Sequence, residues 1–207
     1  SNLTQPDTPS MTNMFLQEDI DQISLQLSEV ANALSGKTVL MTGAGGFLGR
    51  YFMAVFAKLN ADVLDQPVKI IGLDNFVTAP IEAKDIANQP HITFIEHNVI
   101  TPFECKEKVD YIIHAAGIAS PFYYRAYPLE TLEVAITGTR KMLDLAVQHD
   151  ARFVFFSSSE IYGDPDPAHV PMAESYRGNV SCQGPRACYD ESKRVGETLC
   201  YIYHTSK

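Results

Sequence analysis

The run Thr38-Val39-Leu40-Met41-Thr42 leads straight into Gly43-Ala44-Gly45-Gly46-Phe47-Leu48-Gly49, and a helical pattern follows. A strand that enters a helix through glycines spaced in threes can fold in few ways. Gly43 permits the tight turn, Gly46 lets a pyrophosphate approach the backbone, and Gly49 lets the helix pack closely on the strand. Gly45, Phe47 and Leu48 complete the loop. The first amides of the helix then face the phosphates, where unpaired N–H groups and the helix dipole favour negative charge.

Beyond this loop, apolar runs alternate with helical patterns. Strands are expected at 37–42, 68–73, 92–96, 109–114 and 152–157. Helices are expected at 47–59, near 80–87, at 128–149 and from 189 onward. Val68-Lys69-Ile70-Ile71-Gly72-Leu73 and Phe153-Val154-Phe155-Phe156 have the composition of strands buried in a parallel sheet. The fold class is therefore α/β, a doubly wound parallel sheet of the Rossmann type. Residues 1–15, polar and carrying Pro6 and Pro9, form a flexible lead-in. Ile20, Ile23, Leu27, Val30, Ala31 and Leu34 recur at helical spacing and make 16–35 a helical extension, with Gly36 as its stop. The dinucleotide-binding domain spans 36–207.

A formal net charge of −9 over 207 residues argues against a nucleic-acid partner, which would be gripped by clustered Lys and Arg. No run approaches the ~18 to 20 apolar residues of a membrane span, and a cytoplasmic location is expected. The four cysteines are too irregularly spaced for a zinc site or a disulfide scaffold, and no metal is expected. His114 stands alone and reads as a satisfied core histidine rather than a ligand.

The second strand ends at Leu73-Asp74-Asn75. A carboxylate there can accept hydrogen bonds from both adenosine ribose hydroxyls and would repel a 2′-phosphate, so the cofactor implied is NAD rather than NADP. Ligands of such folds lie at the carboxyl ends of the strands. The expected cofactor-binding set therefore adds Asn98, Val99, Ala115, Ala116 and Gly117, the last three supplying room beside the sheet.

Tyr189-Asp190-Glu191-Ser192-Lys193 opens the last helix, and its spacing puts the phenol and the ammonium on one face, one turn apart. A tyrosine of pKa near ~10 is a poor base at neutral pH. A lysine cation and a positive nicotinamide ring stabilise its phenolate, so Tyr189 can take a proton from a substrate hydroxyl as hydride leaves for NAD. Ser157, Ser158 and Ser159 leave the strand at 152–157 at the same edge of the sheet.

Glycine loop, Asp74, Ser158 and Tyr189/Lys193, in this order, resemble the extended short-chain dehydrogenase/reductase family of nucleotide-sugar epimerases, dehydratases and decarboxylases. The stretch from Gly184 to Thr198 and the segments Ala119-Ser120-Pro121 and Ser159 to Pro165 resemble the UDP-glucuronate decarboxylases within it. The resemblance implies a UDP-linked sugar as substrate and Ser158, Tyr189 and Lys193 as a catalytic triad. It also implies Ser159 and Glu160 acting near the sugar carboxylate, with Ser120, Pro121 and Arg186 touching substrate. Ser159-Glu160 matches the decarboxylases, where dehydratases carry Asp-Glu. Relatives also dimerise through a four-helix bundle, here the helices at 128–149 and from Tyr189, and continue into a smaller substrate-gripping domain, so the 36–207 domain is expected to be incomplete at its C-terminus. Two departures are Ala135 and Ser181, where the decarboxylases carry asparagines close to cofactor or substrate. Three functions stay open: decarboxylase, epimerase or dehydratase, and a non-catalytic NAD-binding module.

Overall fold

The computed structural model describes residues 17–77 and 89–207. The lead-in expected over 1–15 and the short helix expected near 80–87 lie outside the described residues. Five parallel strands, β1 (Thr38–Thr42), β2 (Lys69–Asp74), β3 (Ile92–Glu96), β4 (Tyr111–His114) and β5 (Arg152–Phe155), form one sheet in the order β3-β2-β1-β4-β5. The register pairs Thr42 with Leu73 and with His114, and His114 with Phe155. The carboxyl ends of the central strands therefore finish level along one edge.

Strand alternation sends successive side chains to opposite faces, and each face has its own helix. Val39, Met41 and Ile70 pack against Met53 and Phe56 of α2 (Phe47–Asp62). Leu40, Ile71, Leu73 and Ile112 pack on the other face against Met142, Leu145 and Ala146 of α5 (Thr139–His149). Each such side chain contributes ~1.5–3 kcal/mol on burial. The outer strands differ from the expectation of buried runs. β3 and β5 lie at the two edges, and Ile95 (36% exposed) and Val154 (43%) face outward.

The helical extension is shorter than its periodicity suggests. α1 (Gln17–Leu27) ends where the Ser28 hydroxyl donates to the Leu25 carbonyl at 2.7 Å, and i to i−3 bonds at Ser28 and Val30 displace the helical pattern. A 3₁₀ turn, Ala31–Leu34, follows. Ile20 and Ala31 are buried with Val55 and Leu59 of α2, and Tyr51 Oη donates to Asp19 Oδ2 at 3.1 Å. The extension is thus packed on the phosphate-side helix.

The long helix expected at 128–149 is composite: α4 (Pro128–Glu133), a π-helical segment Val134–Gly138, then α5. It is preceded by a short α3 (Pro121–Ala126), which the sequence reading missed. α6 (Ala187–Ser206) starts two residues before Tyr189. Among the described residues no helix is long and apolar enough to cross a membrane.

Candidate cofactor cleft and active site

Gly43 adopts a φ of +67°, and a Cβ there would lie 2.8 Å from the Ala115 carbonyl carbon and oxygen. The left-handed turn and the contact with Ala115 both require glycine. A Cβ on Gly49 would lie 2.4 Å from the Ala44 carbonyl oxygen, so this glycine is what seats α2 on the loop. Gly46 caps α2 in an extended conformation. The amides of Phe47, Leu48 and Gly49 then head the helix without intrahelical acceptors. The Phe47 and Leu48 side chains point to solvent, so these two residues can serve an anion only through the backbone.

Asp74 closes the other side. Its Oδ2 accepts from the Gly45 amide at 2.9 Å and its Oδ1 from the Phe76 amide at 2.8 Å. Both oxygens keep lone pairs for further donors. Asn75 Oδ1 accepts from Val77 N at 3.2 Å, and Asn98 Oδ1 from Ile100 N at 3.3 Å, each ordering its own turn. Gly43, Gly46, Asp74, Asn75, Asn98, Val99 and Ala115 to Gly117 line one cleft of about 510 Å³, completed by Tyr127, Glu130, Glu133 and Val134. The last four were not anticipated, because they come from α4, the residue before it and the start of the π-helical segment.

Tyr189 and Lys193 line a narrow recess with Ala116, Gly117, Ile118 and Val134, which also line the cofactor cleft. Lys193 Nζ donates to the Phe156 carbonyl at 2.8 Å and lies 6.0 Å from the centre of the Tyr189 ring. A Cβ on Gly117 would lie 3.6 Å from it. Burial lowers the Lys193 pKa from its usual value. The Tyr189 ring stacks on that of Tyr124 in α3, with centroids 5.3 Å apart and planes 13° apart.

Ser158 and Ser159 open instead on a separate groove of about 790 Å³ lined also by Tyr162, Tyr176, Arg177 and Arg194. The Ser158 hydroxyl accepts from the Glu160 amide at 3.2 Å and caps a 3₁₀ turn, Ser159–Tyr162. The two halves are joined by the bond from Lys193 to Phe156 and by Arg194 Nη1, which donates to the Ile161 carbonyl at 2.9 Å. Glu160 and Arg186, expected to serve separately, form an ion pair, and the Glu160 carboxylate raises the Arg186 pKa above its ordinary value. Next to them on α6, Asp190 is buried with its Oδ1 lacking a hydrogen-bond partner among the described residues, and burial raises its pKa. Ser120 and Pro121 form the exposed start of α3.

Sequence reasoning missed Tyr124 and the partners of His114. His114 is 1% exposed, with Thr42 Oγ1 at 2.7 Å from its Nδ1 and Thr139 Oγ1 at 3.1 Å from its Nε2. The first pair could have been found from strand register alone, since Thr42 and His114 are direct neighbours. Among the described residues no group of three His, Cys, Asp or Glu is placed to hold a metal ion.

A glycine-turn dinucleotide cleft beside a Tyr/Lys pair defines the nucleotide-binding domain of a dehydrogenase-like enzyme. The chain belongs to the NAD dependent epimerase/dehydratase family, whose model matches residues 39–207. Its cofactor is NAD, which the glycine turn, the free helix amides and the Asp74 carboxylate fit. The chain is 40% identical over 171 residues to UDP-glucuronic acid decarboxylase 6 of Arabidopsis thaliana, covering 82% of this chain and 47% of that protein. It is 39% identical over 168 residues to UDP-glucuronic acid decarboxylase 1 of Xenopus tropicalis, covering 81% and 37%. An epimerase of Methanothermobacter thermautotrophicus shares the fold at a TM-score of 0.71 and 23% identity, over 87% of this chain and 51% of that one. The chain thus spans about half the length of these relatives or less.

Proposed function

We propose that this chain is the NAD-binding part of a nucleotide-sugar enzyme that oxidises the sugar at C4 and decarboxylates a UDP-glucuronate-like substrate, a lyase reaction. The observation that carries the reading is the placement of Lys193, which touches the Tyr189 ring, the Phe156 carbonyl ahead of Ser157 to Ser159, and the Gly117 wall of the cofactor cleft. Tyr189 takes the proton of the C4 hydroxyl. Before that transfer the Lys193 ammonium beside the ring stabilises the Tyr189 phenolate, which the proton then converts to the neutral phenol. Ser158, whose hydroxyl opens on the neighbouring groove, is assigned by the family resemblance as the second hydrogen-bond partner of the C4 hydroxyl. Bound NAD supplies the hydride acceptor, and later the donor, at C4. The ketone so formed is β to the carboxylate, and the electrons of the C5–C6 bond move into it as CO2 departs. Ser159 and Glu160 serve at C5 and the carboxylate, and Arg186, ion-paired to Glu160, touches the substrate with Ser120 and Pro121.

The reading carries further assignments. Residues 16–35 are an extension braced on the dinucleotide-binding domain, which runs from 36. The enzyme is cytoplasmic and forms a homodimer through the helical run from α4 to α5, including its π-helical segment, and α6, where Ile136 (41%), Val147 (51%), Tyr201 (69%) and Ile202 (46%) are exposed. Light scattering across a concentration series tests the dimer. The 207-residue chain binds NAD.

A 4-epimerase or 4,6-dehydratase is the second reading, and a non-catalytic NAD-binding module, favoured by Ala135 and Ser181 in place of the decarboxylases' asparagines, is the third. The deciding experiment supplies the protein extended to its relatives' full length with UDP-glucuronate and measures CO2 and product mass. CO2 with a pentose nucleotide supports the first reading. An isomer or a dehydrated product without CO2 supports the second, and no turnover despite bound NAD supports the third.

A further inference from the structure

Thr42, His114 and Thr139 are polar residues buried to within 1% of complete exclusion from solvent, at the edge of the sheet where the cofactor lies. Thr42 Oγ1 accepts from the amides of Ala115 at 3.1 Å and Ala116 at 3.0 Å. Those two bonds occupy its lone pairs, so its hydrogen goes to His114 Nδ1 at 2.7 Å. Nδ1 is therefore the bare nitrogen and Nε2 carries the proton, donated to Thr139 Oγ1 at 3.1 Å. Burial pushes the imidazole pKa down to about 3, which keeps the ring neutral as this pattern requires.

The chain joins three elements that each build part of the cleft. Thr42 is the last residue of β1, immediately before the Gly43 turn. His114 ends β4 and leads into Ala115 to Gly117. Thr139 begins α5, just beyond the π-helical segment whose Val134 faces the cleft. Ala115 is pressed on Gly43 from one side, and Gly117 approaches Lys193 on the other. An apolar trio of equal volume would fill the space and leave the Ala115 to Gly117 wall without the hydroxyl that orients its amides. Buried hydrogen-bonded groups of this kind gain little net stability over apolar ones. What they add is direction.

We infer that Thr42, His114 and Thr139 are positioning residues for NAD, a hydrogen-bonded post that fixes the distance between the phosphate turn at Gly43 and the wall at Ala115 to Gly117. The inference rests on the cofactor and not on the sugar reaction. Isothermal titration of NAD into the 207-residue protein tests it, with thermal melting run on the same samples. Thr42→Val keeps the shape and removes the hydroxyl, and its NAD dissociation constant should rise about tenfold, the effect of one lost buried hydrogen bond of ~1.4 kcal/mol. Thr42→Ser keeps the hydroxyl and should stay within about twofold of wild type. A Thr42→Val protein that melts lower but binds NAD as wild type overturns the inference and leaves the trio as core support. A wild-type chain that binds no NAD overturns it together with the cofactor assignment. Should Thr42→Val not fold, the wild-type protein decides by nitrogen-15 spectra. An Nε2–H tautomer whose ring signals move with the Ala115 and Ala116 amides, saturating together as NAD is added, supports it, and ring signals unmoved by saturating NAD overturn it.

Discussion

The ring of Tyr124, 2% exposed, lies within 13° of parallel to that of Tyr189 and holds the phenol's plane. A stacked pair of this kind contributes ~0.5–1.5 kcal/mol beyond its buried area. Tyr124→Phe keeps the stack and should leave kcat of the complete enzyme within about twofold. Tyr124→Leu frees the ring and should lower kcat about tenfold, with the Tyr189 ring signals, followed by carbon-13 labelling of tyrosine, moving in the Leu variant alone. Equal kcat in all three proteins would remove Tyr124 from the site. Nothing in the sequence marked it, because Phe122-Tyr123-Tyr124 is an aromatic run without strand or helix period, and only the fold shows which ring points inward. Asp74 was legible for the opposite reason. A carboxylate that ends a buried apolar strand at the sheet edge has few other uses.

At the scale of elements, the strands were readable because β1, β2 and β4 are covered on both faces and their sequences are continuously apolar. The edge positions of β3 and β5 were not, since strand order is set by crossovers and not by composition. The π-helical segment was invisible as well: Val134 to Gly138 has an ordinary helical pattern, and its wider turn is a matter of hydrogen-bond register. The glycine loop was legible because its geometry admits one residue type. Gly49→Ala tests how far. A methyl 2.4 Å from the Ala44 carbonyl cannot be relieved by side-chain motion, so α2 must move off the loop. We expect Gly49→Ala to lower the melting temperature by several degrees, as a ~1–3 kcal/mol overpacking penalty does. NAD binding should become too weak to measure by titration. Near-native affinity would show that α2's seat is not what presents its amides.

For the whole molecule, two buried ionisable groups near the sheet edge work against each other as pH falls. His114 has its folded pKa lowered to about 3 from an ordinary 6.5, so between those values the unfolded chain binds a proton that the native state refuses. Stability from this group is therefore present above pH 6.5 and drains away as pH falls toward about 3. Asp190 has the reverse sign. Its folded pKa is raised above 3.8 by burial, so its ionised form burdens the native state at neutral pH, and that burden lifts as acid protonates it. Its buried Oδ1, without a partner among the described residues, is the structural counterpart of that penalty. Asp190→Asn should accordingly raise unfolding stability at pH 7 in urea titrations, with the gain shrinking as pH falls toward 3.8. His114→Asn should be less stable than wild type at pH 7, and that deficit should shrink below pH 6.5, where wild type alone loses the histidine's contribution. A gain for Asp190→Asn that persists unchanged at pH 4 would mean that packing around the side chain, rather than its buried charge, sets the cost of the aspartate. A His114→Asn deficit unchanged between pH 7 and 4 would mean that the imidazole is not held neutral by its burial.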